Sequence, residues 1–238
     1  MIAGDELDSQ TAAIRLGPAI ATWAAGWVVG TFVSVSLVSA LTNTDADDLT
    51  ITQLVISAAS AWVVMLLALK LASSRFGSGR PAADYGFRFQ PIDLVGVPLG
   101  VLTQIVAIPL LYTPLQHWWP ETFANDELEK RARDLVDSAG GWSTVVLAVV
   151  VIAGAPLVEE LVYRGLLQRS MAGLVGPWPA LVLTALWFAL IHFSPIEIPG
   201  LLLAGLVFGG CVVVTKRIGT SIVTHAAFNA AGLLLALS

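Results

Sequence analysis

Charged residues are scarce in this sequence of 238 residues. They make up 12% of the chain, about half the share found in soluble domains, whereas hydrophobic residues make up 56%. This composition indicates a membrane protein. No basic cluster and no long run of one charge is present, so the pattern typical of nucleic-acid binding is missing. The single cysteine, Cys211, excludes a disulfide within the chain.

The N-terminal region lacks the features of a signal peptide. Asp5, Glu6 and Asp8 stand where a basic region would be required, and no small-residue cleavage site follows a short apolar core. We therefore expect the first apolar segment to remain in the protein as a membrane anchor.

Long apolar segments recur along the chain, and a helix that spans a bilayer needs about 20 mostly apolar residues. Seven segments are candidates: 17–41, 51–72, 93–115, 143–168, 178–194, 199–215 and 218–237. The last two are short and closely spaced, so six spans plus one re-entrant element is the alternative. Since no internal repeat or hinge divides the chain, we predict a single all-α, membrane-embedded helical bundle over residues 1–238.

Three GxxxG pairs lie within the apolar segments. They are Gly26/Gly30, Gly96/Gly100 and Gly205/Gly209. Such pairs allow two helix backbones to approach closely, and we interpret all three as packing positions.

The placement of Lys and Arg predicts the orientation of the bundle. Basic residues lie in the connection 73–92, at Arg169 and at 216–217, and cytoplasmic connections carry such an excess. The loop 42–50 has three aspartates and no Lys or Arg, and the loop 116–141 has twice as many acidic as basic residues. We therefore predict a protein of the cell membrane with its N-terminus in the cytoplasm and its C-terminus outside.

Two adjacent glutamates and an arginine interrupt one of the most apolar regions. At the centre of a membrane span, each such group costs about 2.5–3.5 kcal/mol. Glu160 and Arg164 are four residues apart, so we expect them to form an ion pair on one helix face. Glu159 is turned about 100° around the helix axis from Glu160, and it has no cation to pair with in its own helix. Pro156 removes a backbone hydrogen bond and predicts a kink at this level.

Two of the three histidines also lie in apolar segments. His192 follows Phe188 by four residues, and His225 precedes Asn229 by four. A lone histidine or asparagine in a membrane helix often serves only packing. Together with an unpaired Glu159, however, these groups exceed what packing requires, and ionisable groups within a membrane indicate function. We expect them to converge in one wet pocket inside the bundle.

These polar residues form three ordered motifs that resemble those of a known family. The motifs are Glu159-Glu160-x-x-x-Arg164, Phe188-x-x-x-His192 and His225-x-x-x-Asn229. They resemble the signature of the CPBP intramembrane proteases, which include type II CAAX prenyl endopeptidases and bacterial Abi proteins linked to bacteriocin processing or self-immunity. The resemblance covers residues 155–230, while the N-terminal segments match only as generic membrane helices.

The resemblance implies an endopeptidase that cleaves a peptide bond within or beside the membrane. Glu159 would be the general base, and His192 would help it to hold and activate a water molecule. His225 and Asn229 would donate hydrogen bonds to the oxyanion of the tetrahedral intermediate. Desolvated carboxyl groups and preorganised donors are suited to these two tasks.

Three further motif residues would support the site: Glu160, Arg164 and Phe188. A metal-dependent reaction is the alternative, because Glu159, His192 and His225 would make a zinc-protease ligand set with an open position for water. The sequence lacks HExxH, and we favour a reaction without metal or other cofactor.

Two non-hydrolytic functions stay open as alternatives. Buried Glu and His also form proton relays in transporters, although the chain lacks the repeated halves of many transporters. An inactive scaffold or immunity protein would use the same fold, although the motifs here are intact. The expected partners are the bilayer and a membrane-associated protein or peptide substrate. The chain is rich in Ala, Val, Leu and Gly and poor in Lys, which is typical of a GC-rich bacterial genome, and this origin argues against a prenylated CAAX substrate. The sequence does not indicate an oligomeric state.

Overall fold

The computed structural model describes residues 14–41, 50–123, 133 and 141–237, and the regular elements within these ranges are helical. In chain order they are α1 (Leu16–Leu41), α2 (Ile51–Phe76), α3 (Pro81–Asp84), α4 (Pro91–Trp118), α5 (Trp142–Val175), α6 (Pro177–Leu190), α7 (Ile198–Thr215) and α8 (Gly219–Ala236). Much of the loops 42–50 and 116–141 lies outside the described residues, so the membrane orientation stays a prediction.

The predicted all-α membrane bundle is confirmed. Six of the described helices are long and apolar enough to cross a membrane, and the one remaining apolar segment, 178–194, forms the shorter α6. The short element is thus the fifth segment, whereas we expected it among the last two. The predicted end at residue 194 was also wrong, because α6 ends at Leu190. Pro195 disfavours helical backbone at the residue before it, and Phe193 has a positive φ of 51°.

Close backbone contacts join the helices in pairs. α1 packs along α2, α4 along α8, and α6 along α7. A Cβ atom on Gly30 would lie 3.2 Å from the Ala61 carbonyl oxygen, and one on Gly100 would lie 2.8 Å from the Phe228 nitrogen. A Cβ atom on Gly205 would similarly meet the backbone of α6 at 3.1 Å. The GxxxG pairs are therefore packing positions, as predicted.

The basic connections meet at one end of the bundle. Arg169 Nη1 donates a hydrogen bond to the Lys216 carbonyl at 3.3 Å. The Ile218 N–H group donates to the Gly86 carbonyl at 3.0 Å. These contacts bring together the connection 73–92, Arg169 and the connection 216–217. This proximity agrees with their predicted location on one side of the membrane.

Helix α5 has two breaks in its α-helical register. Residues Val150–Gly154 and Glu160–Gln168 are π-helical, and the α-helical turn Ala155–Glu159 lies between them. A π segment bonds each amide to the carbonyl five residues earlier, and such bulges are frequent at functional sites. Much of the second segment is buried in the protein core. The two adjacent glutamates therefore stand at the junction of two registers.

Candidate active site

Glu160 is the buried centre of a polar cluster between α5 and α8. Its side chain has no exposed surface, and its Oε1 lies 3.0 Å from Arg164 Nη1. The same oxygen accepts a hydrogen bond from His225 Nδ1 at 2.9 Å. The other oxygen, Oε2, accepts one from the Ser221 hydroxyl. The ion pair expected from the sequence is present, and Glu160 additionally holds a histidine of another helix.

Arg164 fixes this cluster to the rest of the bundle. Its side chain is 1% exposed, and its Nη2 donates to the Gly205 carbonyl of α7 at 3.2 Å. The guanidinium lies 4.7 Å from the centre of the Phe188 ring and 5.4 Å from that of Phe208. Aromatic faces stabilise a desolvated cation, so Arg164 is held by a carboxylate, a carbonyl and two rings.

The His225 ring is held by stacking and by a hydrogen bond. It stacks on Phe208 with centroids 4.4 Å apart and planes inclined by 20°. Because a carboxylate accepts but does not donate, the His225 Nδ1 atom bonded to Glu160 carries a proton. The opposite nitrogen, Nε2, lies 3.8 Å from Glu159 Oε2. The two neighbouring glutamates of α5 therefore lie at the two nitrogens of one imidazole.

Glu159 differs from Glu160 in its surroundings. Its side chain is 28% exposed, and it forms part of the wall of a cavity of about 210 Å³ between α1, α2 and α5. Aromatic residues contribute much of this wall, including Trp23, Trp62 and Tyr163. Glu159 thus combines access to an open space with contact to His225.

His192 lies in the turn after α6 and is exposed. Its Nδ1 atom is 2.6 Å from the Phe188 carbonyl oxygen. Since a carbonyl only accepts, Nδ1 carries the proton, and Nε2 of the neutral ring is left as an acceptor. The Phe188 ring lies 4.8 Å from the His192 ring and 6.1 Å from the His225 ring, measured between centroids. Phe188 therefore separates and orients the two histidines.

Asn229 lies one turn beyond His225 on α8. Its Nδ2 atom donates a hydrogen bond to the Val151 carbonyl at 2.8 Å. This acceptor belongs to the first π segment of α5. The asparagine therefore contacts the same helix that carries the glutamates, nine residues before Glu160.

The comparison with protein families bears directly on this region. Residues 141–231 match a family model described as Rce1-like, type II CAAX prenyl endopeptidase Rce1-like. Over this segment, the chain is similar to the CAAX protease family. The Rce1-like segment contains all three motifs, and the match confirms the resemblance to the CPBP proteases. The comparisons with curated proteins and with solved structures gave no match. The chain is thus a multi-pass membrane protein with a segment that matches the CAAX protease family.

The arrangement of the motif residues in the Rce1-like segment bears on the metal-dependent alternative. Among the described residues, no group of three or more His, Cys, Asp or Glu side chains is placed to hold a metal ion. A reaction without metal stays a prediction, and Glu159, His192 and His225 remain the ligands of the zinc alternative. We derive no chemical step through a metal.

Two residues of the Rce1-like segment contact the site without having been predicted from the sequence. Ser221 lies four residues before His225 on the same face of α8, so helical periodicity was a usable signal. Phe208, which stacks on His225, has no such signal. An apolar residue in an apolar helix becomes recognisable as part of a site only through its packing.

Proposed function

We propose that the protein is an intramembrane endopeptidase that hydrolyses a peptide bond of a membrane-associated protein or peptide. The observation that carries this proposal is the pair Glu159 and His225. A partly exposed carboxylate borders a cavity and faces an imidazole whose other nitrogen is held by the buried Glu160. The Glu159 carboxylate is thus available for proton transfer, and the His225 imidazole is fixed in orientation.

Water activation is the task of Glu159. As the water oxygen attacks the carbonyl carbon of the substrate, the Glu159 carboxylate accepts one of its protons. The free Nε2 atom of His192 accepts a hydrogen bond from the same water and orients it. General base catalysis of this kind contributes about 10²–10⁴-fold to the rate.

Stabilisation of the oxyanion is the task of His225 and Asn229. Because His225 Nδ1 donates to Glu160, donation from Nε2 requires the doubly protonated ring, with a glutamate at each nitrogen. Asn229 Nδ2 carries two hydrogens, of which one serves the Val151 carbonyl and the second is directed to the oxyanion. Loss of one oxyanion donor costs about 10²–10³-fold in kcat.

Breakdown of the tetrahedral intermediate completes the reaction. The C–N bond breaks as the protonated Glu159 gives its proton to the leaving nitrogen. The products are a carboxylic acid, which gives its proton to water or to the released amine, and that amine, and the Glu159 carboxylate is restored. Glu160, Arg164 and Phe188 take no part in proton transfer and keep the two histidines in place.

The cavity beside Glu159 supports an apolar substrate residue next to the scissile bond. Its volume of about 210 Å³ exceeds the roughly 150 Å³ of a protein cavity that accommodates benzene. Its wall includes Trp23, Trp27 and Trp62, with Glu159 at one side. A large apolar side chain in this space would place the neighbouring peptide bond near the general base.

Narrowing the cavity is expected to change substrate preference. Ala61 of α2 lines the cavity, so Ala61→Leu should lower kcat/KM about 10-fold or more for peptides with a large apolar residue there, as loss of pocket contacts of about 1–3 kcal/mol implies. Peptides with a small residue should lose less. Ala59→Leu, at an exposed position of the same helix, is the matched control. Equal losses for both peptide series would contradict this assignment.

Cleavage by the purified protein in lipid nanodiscs tests the proposed function. We expect His225→Ala to lower kcat by about 10²–10³-fold, the effect of a lost oxyanion donor, and His192→Ala to impair cleavage as well. The exposed His117 at the end of α4 provides the control His117→Ala, which should cleave normally. Product masses identify the cleaved bond. Cleavage should resist a chelator, whereas a loss reversed by zinc would favour the metal-dependent alternative. Normal cleavage by His225→Ala would contradict the proposal.

A further inference from the structure

Pro156 leaves one carbonyl of α5 without a partner in its own helix. In the π segment before it, the Ala155 N–H group bonds to the Val150 carbonyl, five residues earlier. In the same register, the amide of residue 156 would bond to the Val151 carbonyl. Proline has no N–H group, so this bond cannot form.

A side chain from α8 takes the place of the missing amide. Asn229 Nδ2 donates to the Val151 carbonyl at 2.8 Å. An unpaired backbone group within a membrane is costly, and neighbouring helices commonly supply the partner where a proline removes one. The Asn229 contact therefore has a cause in the backbone of α5.

Helix α8 thereby holds α5 on both sides of Glu159. Asn229 binds Val151 in the first π segment, and His225, one turn earlier on α8, binds Glu160 at the start of the second. The α-helical turn that ends at Glu159 lies between these two contacts. Release of the first contact would free this turn to change register. The Glu159 carboxylate would then shift relative to His225 Nε2, which is 3.8 Å away.

We propose that Asn229 is a positioning residue for Glu159, because its side chain closes the gap that Pro156 opens in the hydrogen bonding of α5. The proposal rests on the proposed function and adds to it. One hydrogen of Nδ2 positions the general base through the backbone, while the other serves the oxyanion. An experiment can separate these two roles, since the positioning of Glu159 depends on Pro156 and the bond to the oxyanion does not.

A double-mutant cycle between Asn229 and Pro156 tests this coupling. Pro156→Ala restores an N–H group that can bond within α5, so Asn229 then has less to supply. We expect Asn229→Ala to lower kcat by about 10³-fold or more with Pro156 present, because loss of the oxyanion donor alone costs about 10²–10³-fold and displacement of Glu159 adds to it. In the Pro156→Ala background the loss should be about tenfold smaller, within the range of coupling between interacting residues. The control cycle, His225→Ala with Pro156→Ala, should show no such coupling.

Equal kcat losses from Asn229→Ala in the two backgrounds, within about twofold, would overturn the proposal and leave Asn229 with the oxyanion role alone. The unfolding midpoints of the same four proteins give a readout that needs no substrate. Asn229→Ala should lower Tm more when Pro156 is present than in the Pro156→Ala background, and equal decreases would overturn the proposal. Coupling in Tm combined with equal kcat losses would overturn it too, because the contact would then be purely structural. A wild-type protein that cleaves no peptide while Tm shows the coupling would refute the proposed function instead.

Discussion

Glu159→Gln is expected to lower kcat by about 10³–10⁴-fold, near the upper limit for loss of general acid–base catalysis. Glutamine has the same shape as glutamate, but its amide cannot accept the proton of the attacking water. The closest ionic neighbour, His225 Nε2, is 3.8 Å away, beyond hydrogen-bond distance, so the fold should lose little. The measurement is the single-turnover rate of peptide cleavage in nanodiscs, with Tm recorded for the same samples.

The matched control for this variant is Glu121→Gln. Glu121 follows α4 and is exposed, so its replacement should leave the cleavage rate at the wild-type level. A rate within about tenfold of wild type for Glu159→Gln would exclude Glu159 as the general base, since acid–base catalysis contributes at least about 10²-fold. A large fall in Tm for this variant would instead show that Glu159 supports the fold.

Arg164→Met should produce the largest loss of stability, about 3–5 kcal/mol in the free energy of unfolding. Removal of one partner of a buried ion pair leaves the other charge poorly compensated, and here that charge is the fully buried Glu160, which would keep only its bonds from His225 and Ser221. The Gly205 carbonyl would also lose its donor. Methionine occupies a similar length without the charge. The measurement is denaturant unfolding in mixed micelles.

Two further variants separate the buried charge from general effects of losing an arginine. Arg75→Met changes an exposed residue near the end of α2 and should alter the free energy of unfolding by less than about 1 kcal/mol. Glu160→Gln combined with Arg164→Met should destabilise less than the sum of the two single changes, because no uncompensated charge then stays buried. If Arg164→Met lowered the free energy of unfolding no more than Arg75→Met, the buried ion pair between Glu160 and Arg164 would not stabilise the fold as expected.

Much of the candidate site was predictable because its polar and charged residues lie within apolar segments. Glu159, Glu160 and Arg164 stand out in an apolar segment, and their spacing correctly predicted the ion pair between Glu160 and Arg164. The helical spacing of His225 and Asn229 likewise placed both on one face of α8. Such arguments work where one helix contains all the information that is needed.

Contacts between helices were beyond the reach of this reasoning. The sequence predicted Glu160 only as a partner of Arg164, yet it also binds His225, 65 residues away in the chain. Val151 of the first π segment of α5 accepts a hydrogen bond from Asn229 of α8, 78 residues away in the chain. The early end of α6 depends on the backbone at Phe193. The spacing of apolar residues along the chain does not predict such contacts between helices or the backbone conformation of a single residue.

The length of α6 has a consequence for hydration. A helix of 14 residues rises about 21 Å, about 9 Å less than the hydrocarbon layer of a typical bilayer. A bilayer accommodates a short apolar helix by thinning, by flanking side chains that reach the interface or by helix association. Thinning at α6 would bring headgroups and water to the point where the helix stops. His192 stands two residues beyond that point. The proposed hydrolysis consumes one water molecule in each turnover, and such thinning would shorten the path by which it reaches His192.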